Sequence, residues 1–213
     1  RAPAGPEATR IAAKIKDLEE RLRPEPETRP AAEKAPPEPR RETQADRIRK
    51  ELSLAQQDFD AGRFADSLIR LDQVLSTDPR NASALELRVR IQGAMDESAI
   101  NALVARYIQS LNANRLSDFY RENGTPEFFD EIKRDAELIT GQYASFKSQS
   151  DQIVITGIQD SAAQVSFSHT IVGVSKKDGS EQVIFEGRYI WTLEKVAQAW
   201  KISALRVRTT PGS

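Results

Sequence analysis

Near residue 142 the spacing of apolar residues along the chain changes from three or four to two. Upstream, Ile100, Leu103, Val104, Tyr107, Ile108 and Leu111 recur at helical intervals. Downstream, Val165, Phe167, His169 and Ile171 alternate with Ser166, Ser168 and Thr170, as on the two faces of a strand. A chain that supplies its helices first and its strands last folds as α+β, with the helices packed on one face of an antiparallel sheet.

The strands are expected over 143–158, 161–175, 181–195 and 199–208, with Lys177-Asp178-Gly179 as a hairpin turn. In the third, Val183, Phe185, Gly187, Tyr189, Trp191 and Leu193 share one face; in the fourth, Trp200, Ile202 and Ala204 do. A short helix carries Leu116, Phe119 and Tyr120. Another starts at Thr125-Pro126-Glu127, an N-cap followed by proline and an acid in the first turn, and runs to about Thr140.

Five segments follow from these patterns. Residues 1–23 form a short solvated helix and 24–42 a disordered linker, since 24–40 hold six of the eleven prolines. Residues 43–95 are helical, 96–208 are the mixed module, and 209–213 are a disordered tail. Within 51–84, Leu54, Ala55 and Phe59 mark one helix, Gly62 stops it, and Phe64, Leu68, Leu71, Val74 and Leu75 mark a second that ends at Asp78-Pro79. This hairpin resembles one tetratricopeptide repeat: Ala55 at the small position, Gly62 in the turn, Phe64 after it, Leu71 in the packing seam, Pro79 at the close. Asp58 and Ser67 depart from that pattern, where the family prefers tyrosine and alanine.

Composition excludes much chemistry. The 31 basic and 32 acidic residues leave no excess charge to attract nucleic acid. No apolar run approaches the roughly 18 residues of a spanning helix, so no membrane insertion is expected of this stretch. There is no cysteine and one histidine, which removes thiolate and multi-histidine metal sites; no metal, cofactor or catalytic residue is assigned.

Two segments, ALVARYIQSLNANRLSDFY and FEGRYIWTLEKVAQAWKISAL, resemble the first two helices and the last hairpin of the cone-shaped nuclear transport factor two and ketosteroid isomerase-like superfamily. The resemblance implies a curved sheet closing on three helices around a pocket. It places Tyr107 where isomerases carry an aromatic hydroxyl, but RENGTPEFFDEI offers no matching carboxylate base. The ligand-pocket candidates are Tyr107, Phe128, Phe167, His169, Phe185, Tyr189 and Trp191. The lone histidine has two readings: a neutral core residue bonded to a neighbour such as a tyrosine hydroxyl, or a polar contact for a ligand. Either buries the ring and lowers its pKa below ~6.5. Val172, Val174, Ile184 and Ile190 share the outer sheet face, which the resemblance makes a candidate homodimer surface.

The expected function is that of a non-enzymatic binding or scaffolding fragment of a larger bacterial regulatory protein, on either side of a membrane, engaging a protein partner or a small apolar ligand. The alternative is a cone-fold isomerase, dehydratase or hydrolase acting around His169 and Tyr107.

Overall fold

The computed structural model describes residues 14, 16–18, 20 and 42–209. The chain divides into two units, 1–43 and 44–213. In the first, Lys14, Lys16, Asp17, Leu18 and Glu20 are helical. The rest of the helix expected over 1–23, the proline-rich stretch up to residue 41 and the tail beyond Thr209 lie outside the described residues.

The second unit begins with a helical hairpin, α1 (Gln44–Asp60) and α2 (Phe64–Thr77). Gly62 turns the chain at φ 73°, a conformation that costs glycine little. The two departures from the repeat pattern are both built into the core. Asp58 is buried and accepts from Arg63 and Arg70 at 2.6 and 2.7 Å, bonds that hold its carboxyl below the usual value, Arg70 contributing most. The Ser67 hydroxyl donates to the Ala55 carbonyl at 2.7 Å.

Next comes α3 (Ala82–Asn112), capped by Asn81, whose side chain accepts from the Ala84 N–H at 3.1 Å. The divide expected between residues 95 and 96 falls inside this 31-residue helix. Its buried positions explain why. Ala84, Leu87 and Ile91 join the core of the hairpin, whereas Ile100, Leu103, Val104, Tyr107 and Leu111 join a second core. At 3.6 residues per turn the two sets point roughly half a turn apart, so the apolar stripe changes sides midway along one helix.

The second core is closed by α4 (Leu116–Asn123), α5 (Pro126–Gln142) and a four-stranded antiparallel sheet in sequence order: β1 (Tyr143–Gln159), β2 (Ala162–Ser175), β3 (Glu181–Val196) and β4 (Ala199–Thr209). Thr125 caps α5 by accepting from the Phe128 N–H at 3.3 Å, with Pro126 at its start. Along β2 the buried residues are Ala163, Val165, Phe167, His169, Ile171 and Gly173, in strict alternation.

Two bulges break the alternation expected elsewhere. Ile171 pairs with Phe185 but Val172 pairs with Val183, so Val183 turns out to 60% exposure while Ile184 packs against the core. Thr192 pairs with Ala204 but Leu193 with Ile202, which places Leu205 rather than Ala204 opposite Trp191 on the inner face.

Candidate functional site

The inner face of the sheet and α3 together enclose an aromatic cluster. The Tyr107 ring lies 5.2 Å from Trp191, 5.3 Å from His169, 6.0 Å from Tyr189 and 6.2 Å from Phe167. His169 in turn stands 5.0 Å from Tyr189 and 6.1 Å from Phe185. Six of the seven pocket candidates therefore touch ring to ring. The seventh, Phe128, is buried in the same core but meets these rings only through Tyr120, 5.6 Å away.

Tyr120, absent from the candidates, belongs to the site. Its hydroxyl and those of Tyr107 and Tyr189 interact, and burial pushes all three above the ordinary tyrosine value. The signal for it was the helical spacing of Leu116, Phe119 and Tyr120: both aromatic rings enter the same core, 5.5 and 6.2 Å from Tyr107.

His169 is 2% exposed, and burial pushes its pKa down to about 4. The expected bond to a tyrosine hydroxyl is not made: among the described residues neither Nδ1 nor Nε2 has a hydrogen-bond partner. Trp191 Nε1, fully buried nearby, likewise has no partner among the described residues. The register explains the histidine. Across the four strands its row reads Ser150, His169, Gly187, Thr209. The neighbours on either strand are too short to reach the ring, and the tyrosines approach it with their ring systems.

That same row borders a cleft of about 890 Å³: Ser150, His169, Gly187, Thr209 and Ile108 line it from one face of the sheet, and Asp151, Ser168, Thr170, Glu186, Arg188 and Arg208 from the other, while the rings of Tyr107, Phe167, Phe185 and Tyr189 do not line it. Large residues fill the next inner positions, Phe167 with Tyr189 on one side and Ile171 with Phe185 on the other. A Cβ built on Gly187 would strike the Arg208 carbonyl oxygen and the Thr209 Cα, so glycine lets the end of β4 lie close at this level. At the rim, β1 is irregular between Asp151 and Val154, with Gln152 at φ 50°. The Gln152 side chain there accepts from Arg188 Nη2 at 3.1 Å and from the Ser168 hydroxyl at 3.4 Å.

Below the cluster, at the far end of β3, Asp96 is buried on α3 and accepts from Lys195, Trp200 Nε1 and Gln92 at 2.6, 3.0 and 3.2 Å. Burial alone would raise its pKa, but these bonds outweigh it and hold the carboxyl below the usual value. Asp58 and Asp96 are the buried carboxylates among the described residues, and both are ionised at neutral pH. Among the described residues no group of three or more histidine, aspartate or glutamate side chains is placed to hold a metal ion, and no helix is long and apolar enough to cross a membrane.

No family model matches the chain, and no curated protein matches its sequence. Solved structures do resemble it. A nuclear transport factor 2-like superfamily protein from Salmonella enterica is 14% identical with a TM-score of 0.51, over 57% of this chain and 95% of that one. A protein assigned as an aromatic ring hydroxylase from Novosphingobium aromaticivorans is 16% identical with a TM-score of 0.51, over 56% and 92%. The Kfla4162 protein of Kribbella flavida is 14% identical at 0.50, over 56% and 93%. At these identities the likeness is one of fold, and the fold is the cone of the nuclear transport factor 2-like superfamily.

Proposed function

We propose that the cone is a binding module, and that a small molecule enters it at the row of Ser150, His169, Gly187 and Thr209. One observation carries this reading: a neutral imidazole, 2% exposed and with neither nitrogen bonded among the described residues, is buried directly behind a cleft that its own residue borders. A buried polar group without a partner costs on the order of 1–3 kcal/mol. A ligand that bonds it recovers that cost. Small-molecule sites are commonly built this way, from an apolar body with a few polar groups. Non-enzymatic binding is favoured over isomerase, dehydratase or hydrolase chemistry because the two buried carboxylates among the described residues are held ionised by basic or N–H partners away from His169. In this reading the helical hairpin is the scaffold that presents the cone within a longer regulatory chain.

The test is a thermal-shift screen of a small-molecule panel against wild type and His169→Phe. A compound that raises the Tm of wild type and not of the variant, with the variant's circular dichroism unchanged, supports the reading. A panel that shifts neither protein, or both equally, overturns it.

A further inference from the structure

We infer that the end of β4, from Leu205 to Thr209, is an open sheet edge that takes up an extended segment of a partner protein, one that alternates acidic and apolar residues. This goes beyond the small-molecule reading, and His169 takes no part in it.

Among the described residues β4 is an edge strand, with β3 as its strand neighbour. Its first half is covered. The Thr125 N–H donates to the Ile202 carbonyl at 2.8 Å, and Gly124 bridges to the same residue. Ile202 therefore turns its main chain away from β3. Its partner Leu193 turns away from β4 in the same manner, because Lys195, two residues on, donates to the Ser161 carbonyl at 2.8 Å on the β2 side. Main-chain groups alternate sides along an antiparallel strand. Thr192, Ile190 and Arg188 thus bond β4 through their partners Ala204, Arg206 and Arg208. Leu205, Val207 and Thr209 fall between these, with N–H and carbonyl groups directed off the edge. Among the described residues no other segment bonds them.

The side chains state what fits there. Arg206 and Arg208 stand exposed on the outer sheet face. Across β3 they face Ile190 and Arg188, an apolar residue and a like charge. Among the described residues no carboxylate pairs with Arg188, Arg206 or Arg208. Like charges directly opposite destabilise a strand pair, and an acidic side chain on an added strand about 4.8 Å away offsets them. On the inner face Val207 ends the row of Phe167 and Tyr189 and is 46% exposed. An apolar residue at the alternate position covers it and extends that row.

A second copy is the wrong occupant. β4 paired antiparallel with itself about Val207 sets Arg206 of each copy against Arg208 of the other. The arginines bar that pairing, as charges on edge strands do, and leave the edge open to an acidic strand. Main-chain bonds then give affinity and the alternating side chains specificity.

The experiment is an amide NMR titration of the full chain with two probes, acetylated hexapeptide amides of alternating valine and glutamate or valine and lysine. The expected result is that the glutamate peptide alone binds, slows exchange at the Leu205, Val207 and Thr209 amides, and weakens severalfold in about 0.5 M salt. Arg206→Glu with Arg208→Glu, both exposed, should reverse the preference. Val207→Pro removes an N–H that makes no bond in the fold, so it should keep the β3–β4 ladder and weaken binding about tenfold or more. Equal binding of the two peptides overturns the inference. So does glutamate-peptide binding that shifts other amides and ignores these substitutions, or no binding of either peptide.

Discussion

Asp96 and Lys195, 99 residues apart in sequence, close an ion pair of 2.6 Å with about a tenth of each side chain exposed. The pair joins the middle of α3 to the end of β3. Lys195 also lies over the Trp200 ring, 5.3 Å from its centroid. Replacing Asp96 with alanine leaves a mostly buried ammonium and an indole N–H unpaired. The expected loss is about 3 kcal/mol in urea unfolding. Replacing both partners with apolar residues, Asp96→Leu with Lys195→Met, is expected to recover most of it. Because the folded carboxyl sits below its unfolded value, its contribution is full above about pH 4 and fades as pH falls further.

His169 loses stability in the same direction, on acidification, but in a higher window. Its folded pKa is about 4 against 6.5 for the free side chain, so the unfolded chain takes up the proton first. Stability from this group is complete above pH 6.5 and declines as pH falls to about 4, by ~3 kcal/mol in all. His169→Phe removes that slope and keeps the fold. An NMR titration that finds an ordinary or raised histidine pKa contradicts the buried, unbonded ring.

The turn between β3 and β4 is built from Ala197 and Gln198 at φ 48° and 68°. Two positive φ angles in a two-residue hairpin suit Asn-Gly, not Ala-Gln. The double change Ala197→Asn and Gln198→Gly should raise stability by about 0.5–1 kcal/mol, read from the urea midpoint at constant m-value. A lower midpoint would mean the turn is held by contacts other than its own backbone.

Gly187→Ala places a methyl against the Arg208 carbonyl and the Thr209 Cα. The end of β4 must move away, at a cost of about 1–3 kcal/mol. Amide hydrogen exchange should accelerate at Arg206 and Arg208 before it changes in β2. Uniform protection across β4 would show that the strand end is not what the glycine accommodates.

In the hairpin, Leu71 is fully buried, and Leu71→Ala should cost about 2–5 kcal/mol. A loss of under about 0.5 kcal/mol, as for a surface change, would place Leu71 outside the seam.

The sequence made the inner face of β2 legible because its alternation runs unbroken from Ala163 to Gly173. His169 therefore fell among the right rings. Val183 and Ala204 were misplaced because a bulge shifts a strand by one residue, and periodicity alone does not show where the extra residue sits. The cleft row was illegible for a related reason: Ser150 and Thr209 join His169 only through pairing across strands distant in sequence. Gly187 was the one clue, a gap in the run Phe185, Tyr189, Trp191. The continuity of α3 was hidden because its apolar positions change face between Ile91 and Ile100, which reads as the end of one helix and the start of another.

That change of face makes α3 a party wall. The hairpin leans on one side of it and the cone on the other, and neither has a substitute. A cut near Gly93 would fall on the seam: Ala84, Leu87 and Ile91 would stay with the hairpin, and Ile100, Leu103, Val104, Tyr107 and Leu111 with the cone. What it would abolish is the bearing of one room on the other, which a single unbroken helix sets.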